Sequence, residues 1–203
     1  MKVSARYVLA FAGAAVVGIY LHELGHAVAG WVQGIGVFPS PAKEYILRSQ
    51  VDWNQETWIA LGGVVGTILT TVGAMLYFVR ARSLTAEAVL FGALLPAWLY
   101  TIRFFLKGRG HDGTEWQAAQ TALGFAPGGH AIDIFFACLL LAGVILWGCR
   151  LRLPVRYTFL RIVSVILGGT ILLVALQAGN NRFFDRFFPS TQVVNTPSGL
   201  DPR

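Results

Sequence analysis

The chain has 203 residues; 55% are hydrophobic, 13% are charged, and the formal net charge is +6. A soluble domain carries about 25% charged residues, so this composition excludes one large water-soluble core and points to a polytopic membrane protein. It also excludes nucleic-acid binding as the meaning of the positive charge, because Arg80, Arg82, Arg150, Arg152 and Arg156 stand at the ends of apolar runs, where lipid headgroups account for them.

The first apolar run, Tyr7 to Val32, reads as a retained first membrane span. At helical rise it measures about 40 Å, longer than the hydrocarbon layer, so it should tilt or project. One of its faces, at a spacing of four, is Ala14, Gly18, His22, His26 and Gly30, whose small residues admit a close neighbouring helix. Gly34 to Glu56 is a polar loop; within it, Tyr45 to Trp53 has the imperfect alternation of a strand or hairpin.

A second span is expected over Thr57 to Val79, with Gly62 and Gly66 forming a small-xxx-small pair that can pack on the histidine-bearing helix. After the turn Arg80 to Ser83, a third span covers Thr85 to Leu106, with a kink at Pro96. Thr114 followed by Gln117 makes a capping-box pattern, which places His111 and Asp112 just outside the start of a short helix. The fourth span is expected over Ala131 to Cys149 and the fifth over Tyr157 to Ala178. Cys138 and Cys149 share one apolar run and read as packing residues, not as a disulfide framework.

The tail from Asn180 to Phe188 places four phenylalanines opposite its charges, as in a helix lying in the interface; Pro189 to Arg203 has a disordered composition. The expectation is thus an all-α, polytopic membrane helix bundle of about five transmembrane helices, with a short hairpin after the first. Residues 1–178 make one membrane-embedded domain, with a catalytic core over about 7–123, and 179–203 an interfacial helix and flexible tail. With five spans, the first loop, the His111–Asp112 segment and the C-terminus share one side. Lysines and arginines divide evenly between the two sides and leave the orientation unassigned.

His22-Glu23-Leu24-Gly25-His26 carries the chemistry. Two histidines four apart on a helix point the same way and can bind Zn²⁺, while the adjacent glutamate is the general-base candidate. An ionisable set at membrane depth is costly to insert, which argues for function. A catalytic zinc takes three protein ligands. Asp112 is the first choice for the third, for its side of the membrane and its glycine-flanked position; His111, Glu115, Glu44 and Glu56 are alternatives, and His130 with Asp133 could support the ligands.

The run His22 to Ala27, followed by Asp112-Gly113, resembles the site-2 protease family of intramembrane zinc metalloproteases. The likeness covers roughly Tyr7 to Trp116; the asparagine and proline that the family carries ahead of its Asp-Gly pair are absent here. It implies a zinc metalloendopeptidase with Glu23 catalytic, His22, His26 and Asp112 on the metal, and His111, Glu115 or His130 in supporting or alternative roles. Its partners would be a membrane-protein substrate and the lipid bilayer, its location a multi-pass position in a prokaryotic cell membrane. The resemblance also implies cytosolic access to the zinc and a loop edge, Tyr45 to Val51, open to an extended substrate. The competing readings are a membrane metal transporter and a non-catalytic metal-binding membrane protein; the scarcity of His and Asp on the second, third and fifth spans counts against a transport path.

Overall fold

A computed structural model describes residues 5–47, 50–81, 83–98, 101, 111–126, 129–149, 155–188 and 193–194. Its helices are α1 (Ala5–Val32), α2 (Trp53–Ala81), α3 (Leu84–Ala93), α4 (His111–Ala122), α5 (Ala131–Gly148) and α6 (Val155–Phe183). Short strands complete it: β1 (Val37–Pro39), β2 (Glu44–Ile46), β3 (Gln50–Val51) and β4 (Val193–Val194). The protein is an all-α membrane bundle with a minor β element.

Among the described residues four helices are long and apolar enough to cross a membrane: α1, α2, α5, and α6 from Ile162 onward. The expected third span is interrupted beside its expected kink. Its helix α3 stops at Ala93, Leu94 is a turn, and helix resumes over residues 95–98. Pro96 supplies the reason, since it has no N–H to bond a carbonyl in the preceding turn. The remainder of that expected span falls mostly outside the described residues.

Caps explain where the other elements begin and end. The Asp52 carboxylate accepts from the Gln55 N–H at 2.8 Å, and the Gln55 side chain accepts from the Asp52 N–H at 3.3 Å. This reciprocal capping box starts α2 four residues before the expected Thr57. Helix α1 stops at Val32 and is closed by Gly34, whose φ of 73° is left-handed, while the Ile35 N–H reaches back to the Gly30 carbonyl at 2.9 Å. Gly124, with φ 78°, closes α4 in the same manner.

In lipid the association of spans rests on close packing more than on removing apolar surface from water. Accordingly α1 and α2 touch through backbone. A methyl at Gly62 would collide with the Gly25 carbonyl, and one at Gly66 with the Leu21 carbonyl. The small-xxx-small pair thus seats α2 on the histidine helix, as its spacing predicts. Helix α3 seats Gly92 against Phe11 and Ala14 of α1. Helix α4 packs on α2 and α5 through Ala60, Val64, Trp116, Ala119, Ile132 and Phe136. Leu141 and Ile145 of α5 and Leu167 and Ile171 of α6 are exposed, as lipid-facing side chains should be.

Strands β1 and β2 form an antiparallel hairpin with Phe38 opposite Tyr45. Beneath it Val37, Ile35 and Val51 pack on Ala27 of α1 and Ile59 of α2. The expected interfacial helix at 179–188 takes another form. Helix α6 runs on through Phe183, and the turn after it docks on the hairpin: Phe188 stacks on Phe38 at 4.8 Å and meets Tyr45 at 5.2 Å. A polar clasp locks this junction. Ser40 Oγ donates to Asn180 Oδ1 at 2.5 Å, Asn180 Nδ2 to the Tyr45 hydroxyl at 2.8 Å, and that hydroxyl to Asp185 at 2.7 Å. Lys43 lies 3.5 Å from the same carboxylate. Burial and the Asp185 carboxylate push the Tyr45 phenol above its ordinary value, so it stays a donor. The clasp puts the first loop and the end of α6 on one side, in accord with the topology expected from counting spans.

Candidate metal centre

The backbone contact between α1 and α2 brings carbonyls of one helix within reach of imidazoles of the other. His22 Nδ1 lies 3.0 Å from the Gly63 carbonyl and 3.0 Å from Thr67 Oγ1. His26 Nδ1 lies 2.8 Å from the Ile59 carbonyl. A carbonyl can only accept, so both histidines carry their proton on Nδ1 and donate it to α2. Both Nε2 atoms are thereby left with lone pairs, and the rings are held from behind. The helices run antiparallel, so Ile59, Gly63 and Thr67 descend α2 at a spacing of four while His22 and His26 climb α1 at the same spacing.

The two Nε2 atoms face each other at 3.0 Å, with the rings edge to face. Glu115 of α4 closes the triangle: its Oε1 is 3.5 Å from His22 Nε2 and 3.3 Å from His26 Nε2. With the protons on Nδ1, three electron-rich atoms converge on one buried point, an arrangement that a cation relieves. The separations fit such an ion. Zinc bonds of 2.0–2.2 Å at tetrahedral angles set donor atoms about 3.3 Å apart. His22, His26 and Glu115 therefore form a group that could hold a metal ion.

Glu23 points toward the hairpin instead. Its carboxyl is hydrogen-bonded to Glu44 of β2, and Glu23, Glu44 and His26 place their polar atoms within 4.8 Å of one another. Glu23 is buried, and its Oε2 has no hydrogen-bond partner among the described residues. It thus presents a free, water-seeking oxygen beside the histidine pair. Glu56, in the first turn of α2, also has a buried Oε2 without a partner.

Of the residues marked by sequence, His22, His26, Glu23, Glu44 and Glu115 come together. Helix α4 starts at His111, three residues before the expected Thr114, so His111 and Asp112 belong to its first turn and do not precede it. The side chains of His111 and Asp112 lie outside the described residues; on this helix Asp112 stands one turn ahead of Glu115. His130 is the residue before α5, exposed, and paired with Asp133 at 3.0 Å. Sequence reasoning missed Gly63 and Thr67. Their signal was the i, i+4 step with Ile59, matching the histidine spacing on a helix already expected to pack against α1.

Fold and site together define the class: a multi-pass helical membrane protein with a buried two-histidine, one-carboxylate cluster able to hold a metal ion. Comparisons with protein-family models, curated proteins and solved structures find no match to this chain.

Proposed function

We propose that the protein is an intramembrane zinc metalloprotease of the site-2 type, hydrolysing peptide bonds in or near transmembrane segments of membrane proteins in a prokaryotic cell membrane. The observation that carries this reading is the convergence of His22, His26 and Glu115 beside the unpartnered carboxyl oxygen of Glu23. Bound at these three residues, zinc would supply Lewis acidity and a water made acidic enough to lose its proton near neutral pH.

The remaining work belongs to the chain. Ile59, Gly63 and Thr67 hold the imidazoles in one tautomer, so that no proton must leave Nε2 before a ligand binds. Glu23 takes the proton from the attacking water and returns it to the departing amine. The enclosing helices keep bulk water out, which strengthens every charge interaction inside. A substrate helix must unwind locally, because its hydrogen-bonded carbonyls resist attack.

The test uses protein reconstituted in liposomes with a reporter transmembrane segment. Glu23→Gln is expected to keep stoichiometric zinc while cleavage falls about 10²–10⁴-fold. His22→Ala loses both zinc and cleavage. Full activity in the Glu23 variant would refute the assignment.

A further inference from the structure

The first loop leaves a backbone edge that the C-terminal segment fills. Strand β4 pairs in parallel with β3, setting Gln50 beside Val193 and Val51 beside Val194. Strand β3 is not peripheral. Val51 is 1% exposed and packs in one cluster with Ala27 and Ile59. Ala27 follows the ligand His26 in α1, and the Ile59 carbonyl receives the His26 Nδ1 proton. Strand β3 is thus tied by packing to the two helices that carry the metal centre, next in the chain to the hairpin whose β2 brings Glu44 to Glu23.

The origin of this occupant is also fixed. The clasp of Ser40, Asn180, Tyr45 and Asp185 and the stack of Phe188 on Phe38 anchor the chain five residues before Val193. Five extended residues reach at most about 17 Å. A segment tethered that closely has an effective concentration in the millimolar range. The pairing itself is only two residues long, and each backbone hydrogen bond contributes about 1 kcal/mol net. Two such bonds alone make a weak pairing, which an extended peptide that pairs over more residues can displace.

We propose that β4 is an intramolecular occupant of the edge at which an extended peptide adds to β3, so that the C-terminal segment competes with substrate for the approach to the metal centre. Backbone pairing requires little of the competing sequence, so any unwound polypeptide of matching length can take its place. The role as a competitor of substrate rests on the protease reading above; the occupancy of the edge does not.

Two measurements on the full chain test the occupancy without catalysis. In a background with Cys138→Ser and Cys149→Ser, the pair Gln50→Cys and Val193→Cys is expected to form a disulfide in membranes. A fluorescent peptide with the sequence of residues 189–199 is expected to bind Val193→Pro/Val194→Pro measurably tighter than wild type, because proline removes the N–H donors of β4 and vacates the edge. Absence of the disulfide, or equal peptide affinity for both proteins, overturns the proposal. In the reporter assay the double proline variant should lower KM at unchanged kcat. Unchanged KM would overturn the competition with substrate. A disulfide and tighter peptide binding in a protein that holds zinc yet cleaves nothing would refute the protease reading and leave the occupied edge standing.

Discussion

Gly63→Ala is the substitution that the geometry of the centre condemns most directly. A methyl group at Gly63 would fall on His26 Nε2 itself and lie 2.8 Å from His22 Cε1. Ordinary contact begins at 3.4 Å, so the His22 ring must retreat by about 0.6 Å and His26 by more. Metal sites tolerate about 0.2 Å in their bond lengths. The required shift is roughly three times that tolerance, and it also pulls Nδ1 of both rings away from the carbonyls that orient them. Orienting partners alone are worth about 10–100-fold in metal affinity, or about 1.4–2.7 kcal/mol, so zinc affinity should drop by at least that factor. Helix propensity works the other way, favouring alanine over glycine by about 1 kcal/mol, so α2 itself should not suffer. Gly73→Ala on the same helix is the control, because nothing lies within 4 Å of a methyl there. The assay is zinc competition with a chromophoric chelator on purified protein, alongside thermal unfolding. Wild-type zinc affinity in the Gly63 variant would show that the imidazoles do not meet over Gly63, and the account of the centre would fail.

Three further outcomes concern the centre and the clasp. Glu115→Ala should release zinc about 100-fold more readily, while Asp112→Ala should retain it; metal analysis of the two purified variants separates the carboxylate that meets the histidines from the one favoured by resemblance, and the reverse result would assign the third ligand to Asp112. Tyr45→Phe should cost about 1–3 kcal/mol of stability by removing the donor to Asp185 and the acceptor for Asn180, read by thermal unfolding in detergent. Because the Tyr45 phenol is held above its ordinary value in the folded chain, wild type should keep this contribution below pH about 10 and lose it progressively above; the variant should lack that alkaline loss.

The spans were legible because insertion in lipid demands long apolar runs, and α1, α2 and α5 begin and end within a few residues of where those runs do. The histidine pair was legible because helical spacing fixes a shared face whatever the partner helix. The third carboxylate was less so. Asp112 and Glu115 lie three residues apart on one helix, so side of the membrane and chain order favour neither. The choice turns on where α4 starts and how it rotates against α2, and the Thr114–Gln117 signal put that start too late. Glu44 reached the centre through a hairpin whose strands are three residues long, too short for alternation to declare itself. The clasp was invisible for another reason. Asn180 and Asp185 read as polar residues leaving the membrane, and only tertiary contact with Ser40 and Tyr45 makes them partners.

That clasp also sets an order of events during synthesis. Tyr45 and Asp185 are separated by 140 positions in the chain. At about 5–20 residues per second, the ribosome needs roughly 7–28 s to deliver the second after the first. For most of that interval, once Ala81 has been added, the nascent chain holds α1 and α2, and with them both histidines, but the hairpin that carries Glu44 lacks its fastening. The carboxyl pair of Glu23 and Glu44 is therefore secured only when the last helix has been inserted, so a ribosome that stalls early leaves a protein with its imidazoles paired and the hairpin over them untied.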